Sequence, residues 1–169
     1  DTADTVLTVT KPTGLAVGDL LIMSVIHKHL TDEITGPSGW STLNLLSGGG
    51  GNDWSSKIFY IVATAAEVAA SSFNATITAG SGAAALMAFS GVDILNPIDV
   101  SSQAVTTAVN PHTFPNVTTS VGNTMIVLIY NNANDSTHGT WASTDPSGAP
   151  TEIADFGTAV GADAGMGVA

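Results

Sequence analysis

The chain has 169 residues, 44% of them hydrophobic and only 10% charged, and 3 Lys+Arg against 14 Asp+Glu give a formal net charge of −11. Such a length suits one domain, which at this size buries roughly 70% of its extended-chain surface. The charge excludes a nucleic-acid partner, whose phosphates need clustered Lys and Arg, and argues equally against an anionic membrane surface.

Strand signals follow one another in chain order over residues 5–10, 19–29, 40–46, 54–63, 73–78, 83–90, 113–118, 124–131 and 152–158, with Gly, Pro and Asn between them. Many short strands with such punctuation predict an all-β fold, a two-sheet antiparallel β-sandwich of jelly-roll or immunoglobulin-like type. Two runs, 20–26 and 125–129, are apolar on both faces and so belong in the middle of a sheet. One face would meet the opposing sheet, the other a loop or a neighbouring chain. The one helical candidate is 65–71, where Thr64 and Glu67 stand at capping-box spacing. Residues 47–53, with Gly48-Gly49-Gly50-Gly51, read as a hairpin tip or long loop, and Asn96-Pro97 and Asn110-Pro111 as turns.

The two parts of the chain share a template. Val17-Gly18-Asp19-Leu20-Leu21-Ile22 and Val121-Gly122-Asn123-Thr124-Met125-Ile126 both set a Gly-led turn before an apolar strand. Each follows a Thr/Val-rich segment and precedes a similar turn, Gly36-Pro37-Ser38-Gly39 and Asp145-Pro146-Ser147-Gly148. This reads as a pseudo-duplication within one domain spanning 1–169, with halves at about 1–100 and 101–169 sharing one core. The second half matches only the start of the 58–62 strand, through 164–169, and lacks counterparts of 73–78 and 83–90. An incomplete C-terminal half is therefore expected, completed by further sequence of a longer chain or by a strand from another chain.

Chemistry-bearing residues are sparse. The chain has no Cys, which rules out disulfides, thiol nucleophiles and thiolate metal sites. No apolar run approaches the ~18 residues of a membrane span, and Asp1-Thr2-Ala3-Asp4 lacks the basic-then-apolar order of a signal peptide. His27 and His29 alternate along one strand, with Asp32 and Glu33 beyond. Two imidazoles and a carboxylate suit Zn²⁺, but a solvated strand end is the simpler reading. His112 and His138 stand in loop-like sequence without partner spacing.

Asn131-Asn132-Ala133-Asn134-Asp135 and Asn52-Asp53 offer oxygen ligands of the kind Ca²⁺ accepts, yet they lack an EF-hand ladder and read as turns. No phosphate loop, nucleophile elbow or paired acid and base is recognisable. Catalytic, cofactor and metal residues are accordingly expected to be none. Trp40, Trp54 and Trp141 are the candidates for glycan stacking; Trp40 reads as a core plug, Trp141 holds the comparable place in the second half, and Trp54 is least committed to the core.

The ordered motifs Val17-Gly18-Asp19-Leu20-Leu21-Ile22, Pro37-Ser38-Gly39-Trp40, Tyr60-Ile61-Val62-Ala63-Thr64-Ala65-Ala66-Glu67, Ala88-Phe89-Ser90-Gly91-Val92-Asp93 and Asn96-Pro97-Ile98-Asp99 resemble a β-sandwich module of bacteriophage structural proteins and large secreted bacterial surface proteins. The resemblance implies a jelly-roll or immunoglobulin-like module that displays or joins other parts and has no active site. The expected role is a non-enzymatic structural subunit on a virion surface, a capsid-decoration (cement), head-fibre or tail-fibre component. It would self-associate or bind a shell or fibre protein, with Ala83-Ala84-Ala85 and the Gly-rich C-terminal stretch offering close backbone approach. The alternative is an extracellular or cell-surface module that binds glycans or mediates adhesion.

Overall fold

The computed structural model describes residues 5–29, 33–48, 53–78, 80–105, 113–132, 142, 151–157 and 165–169. Their elements are β1 (Val6–Thr10), β2 (Leu20–His27), β3 (Ser41–Gly48), β4 (Trp54–Val62), α1 (Ala65–Ala69), β5 (Ser72–Thr76), β6 (Gly82–Phe89), β7 (Ile129–Asn132), β8 (Ala154–Gly157) and β9 (Gly165–Val168). The fold is all-β, and its strand ladders are antiparallel.

Three sheets form, where the sequence pattern predicts two. β3-β4-β2-β6 is the four-stranded sheet, β1-β5 a two-stranded one, and β7-β9-β8 a three-stranded one. The reason for the third lies in β2, which is buried at all eight positions and so must be covered on both faces. Leu21, Met23 and Val25 on one face pack with Phe59, Phe73, Ala75 and Ile77, joined by Leu7 and Val9 of β1. On the other, Leu20, Ile22 and Ile26 pack with Met87, Met166 and Val168, joined by Val127 and Ile129. The second face is thus covered by the chain's own C-terminal strands.

The strand alternation that sorts these two cores is regular. β1 exposes Val6, Thr8 and Thr10 while Leu7 and Val9 turn inward. β6 directs Ala84 and Leu86 to the first core, and Ala83, Ala85, Met87 and Phe89 to the second. Of Ala83-Ala84-Ala85 the first is buried and the other two partly so, while Met166 and Val168 are fully buried. Small side chains at these positions let three layers approach closely.

The turns follow local chemistry. Trp40 N donates to Pro37 O at 3.2 Å, and Gly39 between them takes a φ of 84°, a left-handed conformation that side chains resist. Before β2, Gly18 takes φ 94° and its N–H bonds Ala63 O at 2.8 Å. In the second half the left-handed residue is Asn123 at φ 60°, one position later along the template. Thr64 caps α1 with the predicted box, its backbone N–H bonded to Glu67 Oε2 at 2.8 Å and its hydroxyl accepting from Ala66 N at 3.2 Å. The predicted turns at 110–111 and 145–148 lie outside the described residues.

Sheet order repeats between the halves. β3-β4-β2 and β8-β9-β7 have the same arrangement, the latest strand in the middle, but β6 extends only the first. Two predicted strands differ. Residues 113–118 form none, for Pro115 has no N–H to give to a ladder. The 124–131 run forms β7 over Ile129–Asn132, with one further bonded pair between Leu128 and Ala169. Met125 and Ile126 are left 70% and 55% exposed rather than central.

Truncating a β2 side chain tests the two-sided burial. Leu21→Ala is expected to lower unfolding stability by about 2–5 kcal/mol, since cavity and transfer terms add at a rigid central strand. Urea unfolding measures it, and a loss below about 1 kcal/mol would show that the layers collapse onto β2 loosely.

Candidate functional site

Two places bring polar side chains together against the cores. The first is the end of β2, where strand parity sends His27 to the same face as Leu21, Met23 and Val25. Its side chain is fully buried, and among the described residues no group meets Nδ1 or Nε2 with full hydrogen-bond geometry, the Thr78 backbone acting on the ring only weakly. Opposite it in the ladders stand Ser55 of β4 and Gly82 of β6, which bring no titratable group. A side chain at Gly80 would meet Nε2 at 2.9 Å, so this glycine makes room for the ring.

His29 stacks on His27 with centroids 5.5 Å apart and planes 11° from parallel, and His29 Nδ1 lies 3.9 Å from Glu33 Oε2. The structure thus assembles three of the four residues singled out here in the sequence, while Asp32 lies outside the described residues. It also corrects the solvated-end reading for His27, whose surroundings are core. Among the described residues, no three His, Asp or Glu side chains converge to hold a metal ion. Parallel stacked rings do not aim their nitrogens at a common point, which a tetrahedral ion requires.

Burial, first, and the adjacent His29, second, hold the His27 pKa below its ordinary 6.5, against opposing effects of Glu33 and the Thr78 backbone. The folded state therefore binds this proton less readily than the unfolded chain. The His27 contribution to stability is complete above the unfolded value of 6.5 and is lost as pH falls from there toward the depressed folded value. His27→Leu should flatten that part of the pH profile, read from urea midpoints between about pH 7 and pH 5. Equal slopes in both proteins would show that the imidazole is solvated.

The second place joins the sheets. Asn131 of β7 donates from Nδ2 to Ser24 Oγ at 3.0 Å and to Ser56 Oγ at 2.6 Å, so one amide ties the C-terminal sheet to β2 and β4. Ser24 is fully buried and Ser56 nearly so. Inside an apolar interface such a bond fixes register, because every other register leaves buried hydroxyls unsatisfied. Sequence reasoning placed Asn131 in a turn and a Ca²⁺-type cluster; the amide is instead an interior tie. The visible signal was Ser24 within an otherwise apolar strand. Asn131→Ala should cost about 1–3 kcal/mol, with part recovered when Ser24 and Ser56 are also changed to Ala. Chemical denaturation of the set decides it, and strictly additive losses would rule out the shared network.

Beside this tie a cavity of about 430 Å³ opens between the central sheet and residues 91–129. Leu20, Ile22, Ile58 and Phe89 form part of its apolar wall, with Asp93 and Asp99 at the polar side. Both carboxylates have structural work. Asp99 accepts from the Ser120 hydroxyl and backbone, and Asp93 from Leu95 N and Asn96 Nδ2, bonds that hold each pKa below its usual range. Two of the three lysines act similarly: Lys11 Nζ reaches Val68 O at 2.5 Å and Lys57 Nζ reaches Ile34 O at 2.9 Å. Burial also raises the Tyr130 pKa.

The tryptophans are partly enclosed. Trp40 joins the first core and meets Phe73 at a centroid distance of 5.3 Å and 59°. Trp54 lies over Gly48, where a Cβ would come within 2.5 Å of Nε1. This position gives Trp54 a packing role that the sequence left unassigned. Trp141, His112, His138, Asn52, Asn134, Asp135 and glycines 49–51 lie outside the described residues.

Comparisons of the chain with protein-family models, curated proteins and solved structures find no match.

Proposed function

We propose that this chain is a non-enzymatic structural module on a particle surface, within that class a phage capsid-decoration, head-fibre or tail-fibre component. The observation that carries the reading is where apolar side chains remain outside. Residues 100–134 contain no Asp, Glu, Lys or Arg, although the whole chain carries −11. Within that stretch Val117, Val121, Met125 and Ile126 are exposed, the last three at 59%, 70% and 55%. Clustered exposed apolar side chains without charge are the surface of a protein that is held by another.

Further support comes from the polar groups. Asp93, Asp99, Lys11, Lys57, Ser24, Ser56 and Asn131 bond within the fold. Layers tied in this way give a stiff block suited to bearing load or spacing neighbours. The sequence resemblance to phage and bacterial surface modules points the same way.

Immunogold labelling tests the role. An antibody raised against the purified chain should decorate the shell or fibres of phage particles released by the host that carries the gene. Label confined to the host envelope would favour the extracellular adhesion reading, and absence from every assembled structure would remove the particle reading.

A further inference from the structure

We propose that Val17, Ile94 and Leu95, at the end of the central sheet where β2 begins and β6 finishes, form an apolar knob that seats in an apolar socket with a Lys/Arg rim on a partner protein. The inference rests on the particle-surface reading and adds to it an attachment point and the chemistry of the receptor.

Two abutting turns build the knob. Val17, Ile94 and Leu95 are 67%, 59% and 84% exposed. A Cβ at Gly18 would stand 3.8 Å from Ile94 Cγ2, so the 17–18 turn and residue 94 are neighbours. Large aliphatic side chains scattered singly over a surface are ordinary, but three on adjoining turns form a patch. Both turns are bonded in place. Gly18 takes φ 94° and donates to Ala63 O at 2.8 Å, and Asp19 Oδ2 accepts from Ala16 N at 2.8 Å. Gly91 takes φ 74°, and Asp93 accepts from Leu95 N at 3.0 Å and from Asn96 Nδ2 at 3.5 Å. These groups all lie within residues 16–96, so the knob is set by the first half of the chain alone. A surface fixed beforehand loses little conformational freedom on binding.

Charge selects the receptor. The carboxylates that hold the two turns, Asp19 and Asp93, are sequence neighbours of the knob residues. Of the three lysines, Lys11 and Lys57 reach the carbonyl oxygens of Val68 and Ile34, and Lys28 stands beyond the other end of β2. A second copy would set like carboxylates against each other, and an anionic lipid surface would set phosphates against them. Lys or Arg around an apolar socket pairs with both carboxylates while the socket covers the aliphatic side chains.

Methyl NMR of the whole chain tests the knob, with an amphipathic helical peptide of Leu and Lys as the probe. Its Leu/Glu counterpart and phosphatidylcholine vesicles are the comparators. The Leu/Lys peptide should shift the Ile94 and Leu95 methyl signals, and binding should weaken between about 50 mM and about 500 mM NaCl as the rim attraction is screened. Ile94→Ser and Leu95→Ser should each weaken it by about tenfold. Val6→Ser, on the outer face of β1, should leave it unchanged, and far-ultraviolet circular dichroism should match in all four proteins.

No binding of the Leu/Lys peptide, shifts confined to other surfaces, an equal response to the Leu/Glu peptide, or serine variants that bind as the wild type does each overturn the proposal. Shifts at 94 and 95 on vesicles instead of peptide assign the knob to a lipid surface and overturn it too. Any of these results from a chain that still labels phage particles leaves the particle-surface reading standing. Peptide binding through 94 and 95 by a chain that labels no particle supports the knob and removes that reading.

Discussion

The constraint on which the molecule depends is that β2 has no face for water. Its residues alternate between two apolar cores, Leu21, Met23 and Val25 entering one and Leu20, Ile22 and Ile26 the other. Each fully buried aliphatic side chain contributes about 1.5–3 kcal/mol relative to exposure. Exposing either face would cost several such terms at once, a sum comparable to the roughly 5–15 kcal/mol of net stability of a domain. The two-stranded and three-stranded sheets are therefore both needed, and the layering follows from one strand.

Polar atoms give that apolar stack its register. Apolar contacts alone tolerate sliding, because one methyl group packs against another at many offsets. Asn131 does not, since its amide meets two buried serine hydroxyls on adjacent strands. His27 is the opposite case, a buried imidazole for which the described residues offer no well-formed hydrogen bond. Burial lowers its pKa and so disfavours the charged form. The same interior thus contains one polar device that locks the layers and one that ties their stability to pH.

Much of the first half was legible because its signals are local. Alternation in β1, the apolar run of β2, the Gly39 turn and the Thr64–Glu67 cap each depend on residues close in sequence. Strand parity alone could have placed His27 with Met23 and Val25, which makes the solvated reading an avoidable error. The second half was harder. Runs 20–26 and 125–129 are similar in composition, and the first is central because it finds ladder partners on both sides over its full length.

The sequence by itself determined the all-β class, the repeated template, the capped turn of helix and a strongly acidic charge balance. These follow from period, propensity and charge, which are properties of neighbouring residues or of simple sums. Tertiary structure decided that three sheets form, that Ala83, Ala84 and Ala85 of β6 pack against the two cores and that Asn131 bonds across the layers. Each of those outcomes depends on pairings between distant segments, where register is fixed by mutual burial and hydrogen-bond satisfaction rather than by any local pattern.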